Sequence, residues 1–268
     1  MPFFLLAWFF VLGGSARAVA ITVDTVWSKG EVRVIDGSEG LAVMAGAKLT
    51  IEAGVIIKLT ADSAIFVLGE LSIQGSAAEP VIITSFKDDS AGGDTNGDGA
   101  ATAPAPGDWY GLLVNGPEAK IKIDYAKISY GGDYFDNPAG LFTIVQAAEF
   151  SLEHSSLVNN SGYIVIGQAT SAKINYTNIY NPDFCLAHDP FDMEIAMTYC
   201  GGPFVMYNNP SPLDTTNNYW GHMAGPTLHS ELNGPEDIKG TALSGLANYQ
   251  PFLVEPWAAA IEPAGPEP

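Results

Sequence analysis

From Val32 onward, short apolar runs rich in β-branched residues follow one another, each closed by Gly, Asn, Asp or Pro. Residues 32–35, 49–51, 55–59, 64–68, 71–73 and 81–84 are such runs. Each has the length, propensity and flanking turn residues of a β-strand. No window sustains the three-and-four spacing of an amphipathic helix, so the pattern predicts an all-β chain. Asn-Gly pairs occur at Asn96-Gly97, Asn115-Gly116 and Asn233-Gly234, yet none joins two alternating strands of matched length as a hairpin would. The strands instead follow through brief bends such as Glu52-Ala53-Gly54, Gly69-Glu70 and Gly75-Ser76. Strands that short are stable when each pairs with its equivalent one turn earlier and one turn later, which is a solenoid.

An internal repeat supports this reading. Segments 119–130, 148–159 and 173–181 share one pattern: a short alternating strand (Ile121/Ile123, Phe150/Leu152, Ile174), a polar bend, then a second apolar position at Ile128, Leu157 or Ile179. A weaker copy runs from Phe184 to Tyr199 through Met193, Ile195 and Met197. Leu152 and Ile174 lie 22 positions apart, the length of one rung of a parallel β-helix, while the longer step from Ile123 to Leu152 contains a loop at 131–140. The spacing predicts about eight rungs and, at about 4.8 Å per rung, a rod on the order of 40 Å long.

Charge narrows the set of partners. Thirty acidic against 11 basic residues give a formal net charge of −19. Such a chain repels phosphate backbones and anionic lipid, so nucleic acid is not an expected partner. Acidity also keeps a long β-structure soluble. With 47% hydrophobic and 15% charged residues, the composition is that of a folded chain.

Residues 3–12 form an uncharged apolar run followed by Gly13-Gly14-Ser15 and small residues at Ala16, Ala18 and Ala20. That run is too short for a membrane-spanning helix and reads as a secretory signal peptide over 1–20, although no Lys or Arg precedes it. The expected layout is then a parallel β-helix over 21–220 with a loop insertion at 86–108, a capping segment over 221–256 and a flexible tail over 257–268. No further stretch reads as a membrane span. For an exported chain, Cys185 and Cys200 are read as a disulfide, two buried thiols being the alternative. Without a C-x-x-C pair, neither redox nor zinc chemistry is expected.

The sharpest local motif is Asp94-Thr95-Asn96-Gly97-Asp98-Gly99, flanked by Asp88, Asp89 and Asp108. Asp and Asn at alternate positions before Gly set several oxygens on one side of a tight turn, as calcium requires. The pattern matches the first half of an EF-hand loop, but Ala105 stands where its bidentate Glu belongs. The expected ligands of a structural calcium are therefore Asp94, Asn96, Asp98 and Asp108, with Asp89 as another way to complete the shell. An acidic, Gly-rich surface loop explains the same residues without an ion.

Several segments carry a family resemblance. Leu49-Thr-Ile-Glu-Ala-Gly-Val-Ile-Ile-Lys58, residues 69–85 and Pro106-Gly-Asp-Trp-Tyr-Gly111 resemble the rungs of right-handed parallel β-helix, pectin-lyase-like secreted and surface proteins of bacteria and archaea. Residues 217–226 and 248–253 resemble that family's closing segment. The resemblance spans roughly residues 22–254 and implies the fold class: all-β, a right-handed parallel β-helix. It implies little about function, because the fold serves lyases, hydrolases and non-catalytic surface proteins.

Lyases of this fold use a basic side chain beside a calcium-bound carboxylate. Here Arg33 is the one arginine beyond the signal segment and lies near one end, leaving Lys120, Lys122, Lys127 and Lys173 in the middle. Hydrolases of the fold pair clustered Asp residues with His and an Arg-x-Lys motif, which this sequence lacks. The histidines His154, His188, His222 and His229 are scattered and read as turn or surface residues. Eight aromatics (Tyr125, Tyr130, Tyr134, Phe135, Tyr163, Tyr176, Tyr180, Tyr207) fit a ladder, either exposed for a sugar or protein partner or buried as filling. Asn159-Asn-Ser161 and Asn175-Tyr-Thr177 are glycosylation sequons, equally explained as asparagine ladders in the turns.

Open sheet edges need protection at both ends of such a rod. Residues 21–23 with Trp27 are expected to cap one end, and Trp220, Pro226 and the segment to Leu253 the other, unless one end stacks on another copy. The sequence thus predicts an extracellular or cell-surface structural or adhesive module without catalytic activity, whose partner is a protein or glycan at a surface, or itself. The alternative is a carbohydrate-binding or polysaccharide-cleaving protein.

Overall fold

The computed structural model describes residues 19–253, apart from 38–39, 133–140, 162–163, 181–203, 208–212, 220–226, 229–241, 245–246 and 249. Residues 1–18 of the expected signal segment, Cys185 and Cys200, the repeat copy at 184–199, Trp220, His188, His222, His229, Tyr134, Phe135, Tyr163 and the tail lie outside these residues. Val19 and Ala20, the last two positions of that expected segment, instead pair with Leu41 and Ala42 as part of the first strand.

The strands stack as three-sided rungs. The first rung is β1 (Val19–Ile21), β2 (Thr25–Trp27) and β3 (Val32–Ile35). The second is β4 (Leu41–Val43), β5 (Lys48–Glu52) and β6 (Ile56–Leu59), and the third β7 (Ala64–Val67), β8 (Glu70–Gln74) and β9 (Val81–Ser85). After residues 86–108 comes the fourth: β10 (Gly111–Asn115), β11 (Lys120–Asp124) and β12 (Ala126–Ser129). In the next two rungs one long strand serves two sides: β13 (Phe142–Glu153) precedes β14 (Ser156–Val158), and β15 (Ile164–Asn175) precedes β16 (Asn178–Tyr180). Then come β17 (Phe204–Tyr207), β18 (Leu213–Asp214), β19 (Thr227–Leu228), β20 (Ala242–Ser244) and β21 (Ala247–Asn248). β20 stacks on β17 and β21 on β18, giving eight layers up to β20, and β19 pairs with the far edge of β20, out of chain order.

All pairings among the described strands are parallel, and no helix is present among these residues. This is the right-handed parallel β-helix that the strand pattern and the resemblance predict. The repeat aligns in space as it does in sequence: Ile121 pairs with Phe150, Ile123 with Leu152 and Leu152 with Ile174. On the third side, Ile128 pairs with Leu157 and Leu157 with Ile179. A one-residue slip would turn each apolar set outward, so the alternation of each strand pins this register.

Inward positions form continuous columns. One runs Trp27, Ile51, Ile73, Ile123, Leu152 and Ile174, all buried. Trp27 heads this column at the first rung. Arg33 is paired with Ile57, so it continues the inward column of the third side, and its guanidinium lies 5.1 Å from the centre of the Trp27 ring. The expected N-terminal cap thus consists of Trp27 under Arg33, while β1 pairs with β4 as an ordinary rung strand. Near the other end, Phe252 packs against the core, Asn217 N–H donates to Pro251 O (2.6 Å) and Leu253 N–H to Asn218 O (2.9 Å).

The corners repeat as faithfully as the strands. Tyr125, His154, Tyr176 and Asn217 turn the corner between the second and third sides in four successive rungs, each left-handed with φ of 51°, 48°, 50° and 59°. Such a conformation is strained for bulky residues and holds only where the surroundings over-determine it. Here the side chain just past the corner supplies the support from one rung up. Ser155 Oγ accepts the Ala126 N–H (3.1 Å), and Asn218 Oδ1 accepts the Thr177 N–H (2.8 Å).

Candidate functional site

Two outward features carry chemistry: the polar face of the second side and the insertion between β9 and β10. On the second side the outward register runs Lys48, Glu70, Lys120, Glu149 and Ser171, and beside it Thr50, Ser72, Lys122, Ser151 and Lys173. Opposite charges on neighbouring rungs meet. Lys48 pairs with Glu70 at 2.7 Å, Lys122 with Glu149 at 2.9 Å and Lys173 with Glu153 at 2.8 Å. The hydrogen bond from Lys122 to Glu149 raises the lysine's pKa above its ordinary value, assisted by the charges of Glu149 and Glu70 and opposed by slight desolvation. Lys122 and Lys173, two of the four lysines considered as bases, are thereby committed to carboxylates.

Of the eight aromatics expected to form a ladder, Tyr125 and Tyr176 do stack, with His154 inserted between them. Tyr125 and His154 stack at 4.9 Å between ring centres and 16° between planes, His154 and Tyr176 at 5.2 Å and 14°. These spacings match the distance between rungs. Facing rings cover one another along the axis, so the inner faces of the stack are spent on the protein itself. His154 also places Nδ1 2.8 Å from Asp124 Oδ1. His154 is a turn residue, as the sequence suggests, but its place in a ring stack is new; the signal for it is that Tyr125, His154 and Tyr176 each stand two places after Ile123, Leu152 and Ile174 of the repeat. Asn175, the second sequon asparagine, is buried and its amide donates to Asp214 Oδ1, Thr216 O and Thr216 Oγ1, all at 3.1 Å. Its partners are Asp214 and Thr216 and not a stacked asparagine, so the expected asparagine ladder is absent at this position.

The insertion folds against the third side. A Cβ on Gly92 would lie 3.3 Å from both γ-methyls of Val32 and 3.4 Å from Ile56 Cδ1, so the loop backbone covers that apolar surface. Lys58, fully buried in β6 (Ile56–Leu59), reaches out beneath the loop and donates from Nζ to Gly93 O (2.6 Å). At the loop's root, Asp88 accepts from Thr84 Oγ1 (2.6 Å) and from Ser90 N–H and Oγ. At its end, Asp108 is engaged through both oxygens: Oδ1 with Lys87 Nζ (2.7 Å), Oδ2 with Ser85 Oγ (2.6 Å) and Ala105 N–H (3.0 Å).

Between root and end, Asp94 accepts the N–H groups of Gly97, Asp98 and Gly99, while Asp98 accepts those of Ala101 and Thr102 and the Thr102 hydroxyl. The Thr102 hydroxyl, ahead of the backbone amides of Ala101, Ala100 and Thr102, holds the Asp98 carboxyl below its usual range against a desolvation that pushes the other way. Carboxylate oxygens of Asp89, Asp94 and Asp98 lie within 4.8 Å of one another. Of the four expected ligands, the fold therefore brings Asp94 and Asp98 together and adds Asp89. It spends Asp108 on closing the loop, and Asn96 turns its amide nitrogen toward Asp98 Oδ2 (3.1 Å).

A family model described as pectate-lyase like beta helix domain matches residues 19–183. The chain belongs to that family. No curated protein and no solved structure matches it. Among the described residues no helix is long and apolar enough to cross a membrane.

Proposed function

We propose that the chain is an extracellular or cell-surface β-helix module that works as a rigid structural or adhesive element and not as a catalyst. The observation that carries this reading is the outward face of the second side. A general base must reach a substrate proton with its lone pair available. Along this face the ammonium groups of Lys48, Lys122 and Lys173 are held by Glu70, Glu149 and Glu153 on adjacent rungs or strands. A ladder of that kind suits lateral stiffness better than bond cleavage. Domains of this family are commonly extracellular, which fits the apolar leader at residues 3–12. A polysaccharide panel incubated with the purified chain, with calcium and with chelator, tests the reading. No new reducing ends or unsaturated products are expected, and cleavage of any glycan would overturn it.

The first rung bears on assembly. Val19, Val23, Val26, Val32 and Val34 are exposed there, and among the described residues no strand covers the outer edge of β1, β2 or β3. An inward-facing charge is a common guard on such an edge, and Arg33, salt-bridged to Glu31, occupies that place over Trp27. The proposed module therefore does not polymerise through this end. Arg33→Ile is expected to turn a monomer into higher oligomers in sedimentation velocity; a wild-type chain that already forms rods in negative stain would refute the guard.

A further inference from the structure

We infer that the insertion 86–108 binds a hard divalent cation of the calcium class, with Asp89, Asp94 and Asp98 as its carboxylate ligands. Oxygen ligands sit about 2.3–2.6 Å from calcium, so two of them on one ion are separated by at most about 5 Å. The carboxylate oxygens of these three residues lie within 4.8 Å of one another, inside that limit.

The turn bonds of Asp94 and Asp98 explain those two side chains without an ion, since their oxygens meet backbone amides of their own loop. They do not explain Asp89, which comes from the root of the insertion. Its Oδ1 has less than 1 Å² of accessible surface and meets no hydrogen-bond donor. A carboxylate oxygen shut off from water with nothing to accept is costly. A cation at the point where Asp94 and Asp98 converge removes that cost. Thr95 Oγ1, between them in sequence, is likewise enclosed without a partner.

Neighbouring cations are otherwise engaged. Lys58 Nζ is given to Gly93 O and Lys87 Nζ to Asp108 Oδ1. Three carboxylates therefore face one another while the ammonium groups of Lys58 and Lys87 serve the loop's anchoring. An all-oxygen set selects calcium or magnesium over zinc or copper. An irregular loop rich in carboxylates suits the flexible shell of calcium better than the strict octahedron of magnesium. Bound there, the ion joins the root, through Asp89 beside the anchored Asp88, to the tip at Asp94–Asp98. The loop is then clamped over Ile56 and Lys58.

The test is isothermal titration calorimetry of the full chain, freed of metal by chelation, with calcium chloride and then magnesium chloride. One calcium is expected to bind with a Kd on the order of 0.1–1 mM, the range of extracellular calcium modules. Magnesium is expected to bind more weakly, and calcium to protect the insertion from limited proteolysis. Asp89→Asn is expected to weaken calcium by about tenfold or more at an unchanged far-UV spectrum. Asp108→Asn is expected to keep calcium affinity while lowering the melting temperature. If Asp89→Asn does not fold, Asp94→Asn takes its place with the same expectation. No calcium heat in the wild type, wild-type affinity in a folded Asp89→Asn or Asp94→Asn, or loss of calcium in Asp108→Asn would each overturn the assignment.

Discussion

The rungs and the insertion are held together by opposite means. In the rungs, apolar side chains such as Ile123, Leu152 and Ile174 lie over their counterparts and are fully or almost fully buried. Within residues 86–108 the chain buries little that is apolar, Ala91 being its one buried hydrophobic residue, and the conformation is written in carboxylate-to-amide bonds from Asp88, Asp94, Asp98 and Asp108. The first kind of order is spread over every neighbour, so each residue is supported from above and below. The second kind is local: each carboxylate fixes only the few residues it touches. The two should therefore fail differently.

The largest effect is expected in a column. Leu152→Ala leaves a cavity between Ile123 and Ile174 and should cost about 2–5 kcal/mol, read as a lowered urea midpoint with all probes moving together. If the probes separated, the rungs would not be one cooperative unit. An intermediate effect is expected where the two regions meet. Lys58→Met removes the bond to Gly93 O but keeps an unbranched apolar stem under the loop. The loss should be about 1 kcal/mol, with early cleavage confined to the insertion in limited proteolysis. Equal exposure of the rungs would show that the loop is integral to them.

The smallest effect lies on the charged face. Lys122 has its pKa raised on folding by Glu149, so its contribution is complete below the unfolded lysine's pKa of about 10.4 and is lost as pH rises through the higher folded value. Stability should fall in that alkaline range by no more than about 0.5 kcal/mol on this account, because the pair is open to solvent. Glu149→Gln should flatten the fall in thermal melts recorded across it.

What the sequence made legible follows the same division. Rung positions were readable because a column needs the same kind of residue at a fixed spacing, so the alignment of Ile123, Leu152 and Ile174 in sequence is also their alignment in space. The place of the insertion was readable from its run of Asp and Gly. Which carboxylates converge within it was not, because Asp89 and Asp108 are both aspartates and nearly equally distant from Asp98 along the chain. Only the fold shows that Lys87 and Ser85 claim Asp108 and leave Asp89 to the cluster. His154 escaped for a different reason. Its role depends on Tyr125 and Tyr176, one rung away on either side, and a histidine read alone carries no trace of them.

The recurring left-handed corner at Tyr125, His154, Tyr176 and Asn217 has an evolutionary consequence. Because these four successive rungs turn at the same backbone state, and two of them hand a side-chain hydrogen bond to the rung before, a segment of about 22 residues is a complete building block. Duplicating the stretch of gene that encodes one such turn would insert a block whose two neighbours already match it. Length in this architecture is thus a trait that selection can adjust one block at a time, without redesigning either end.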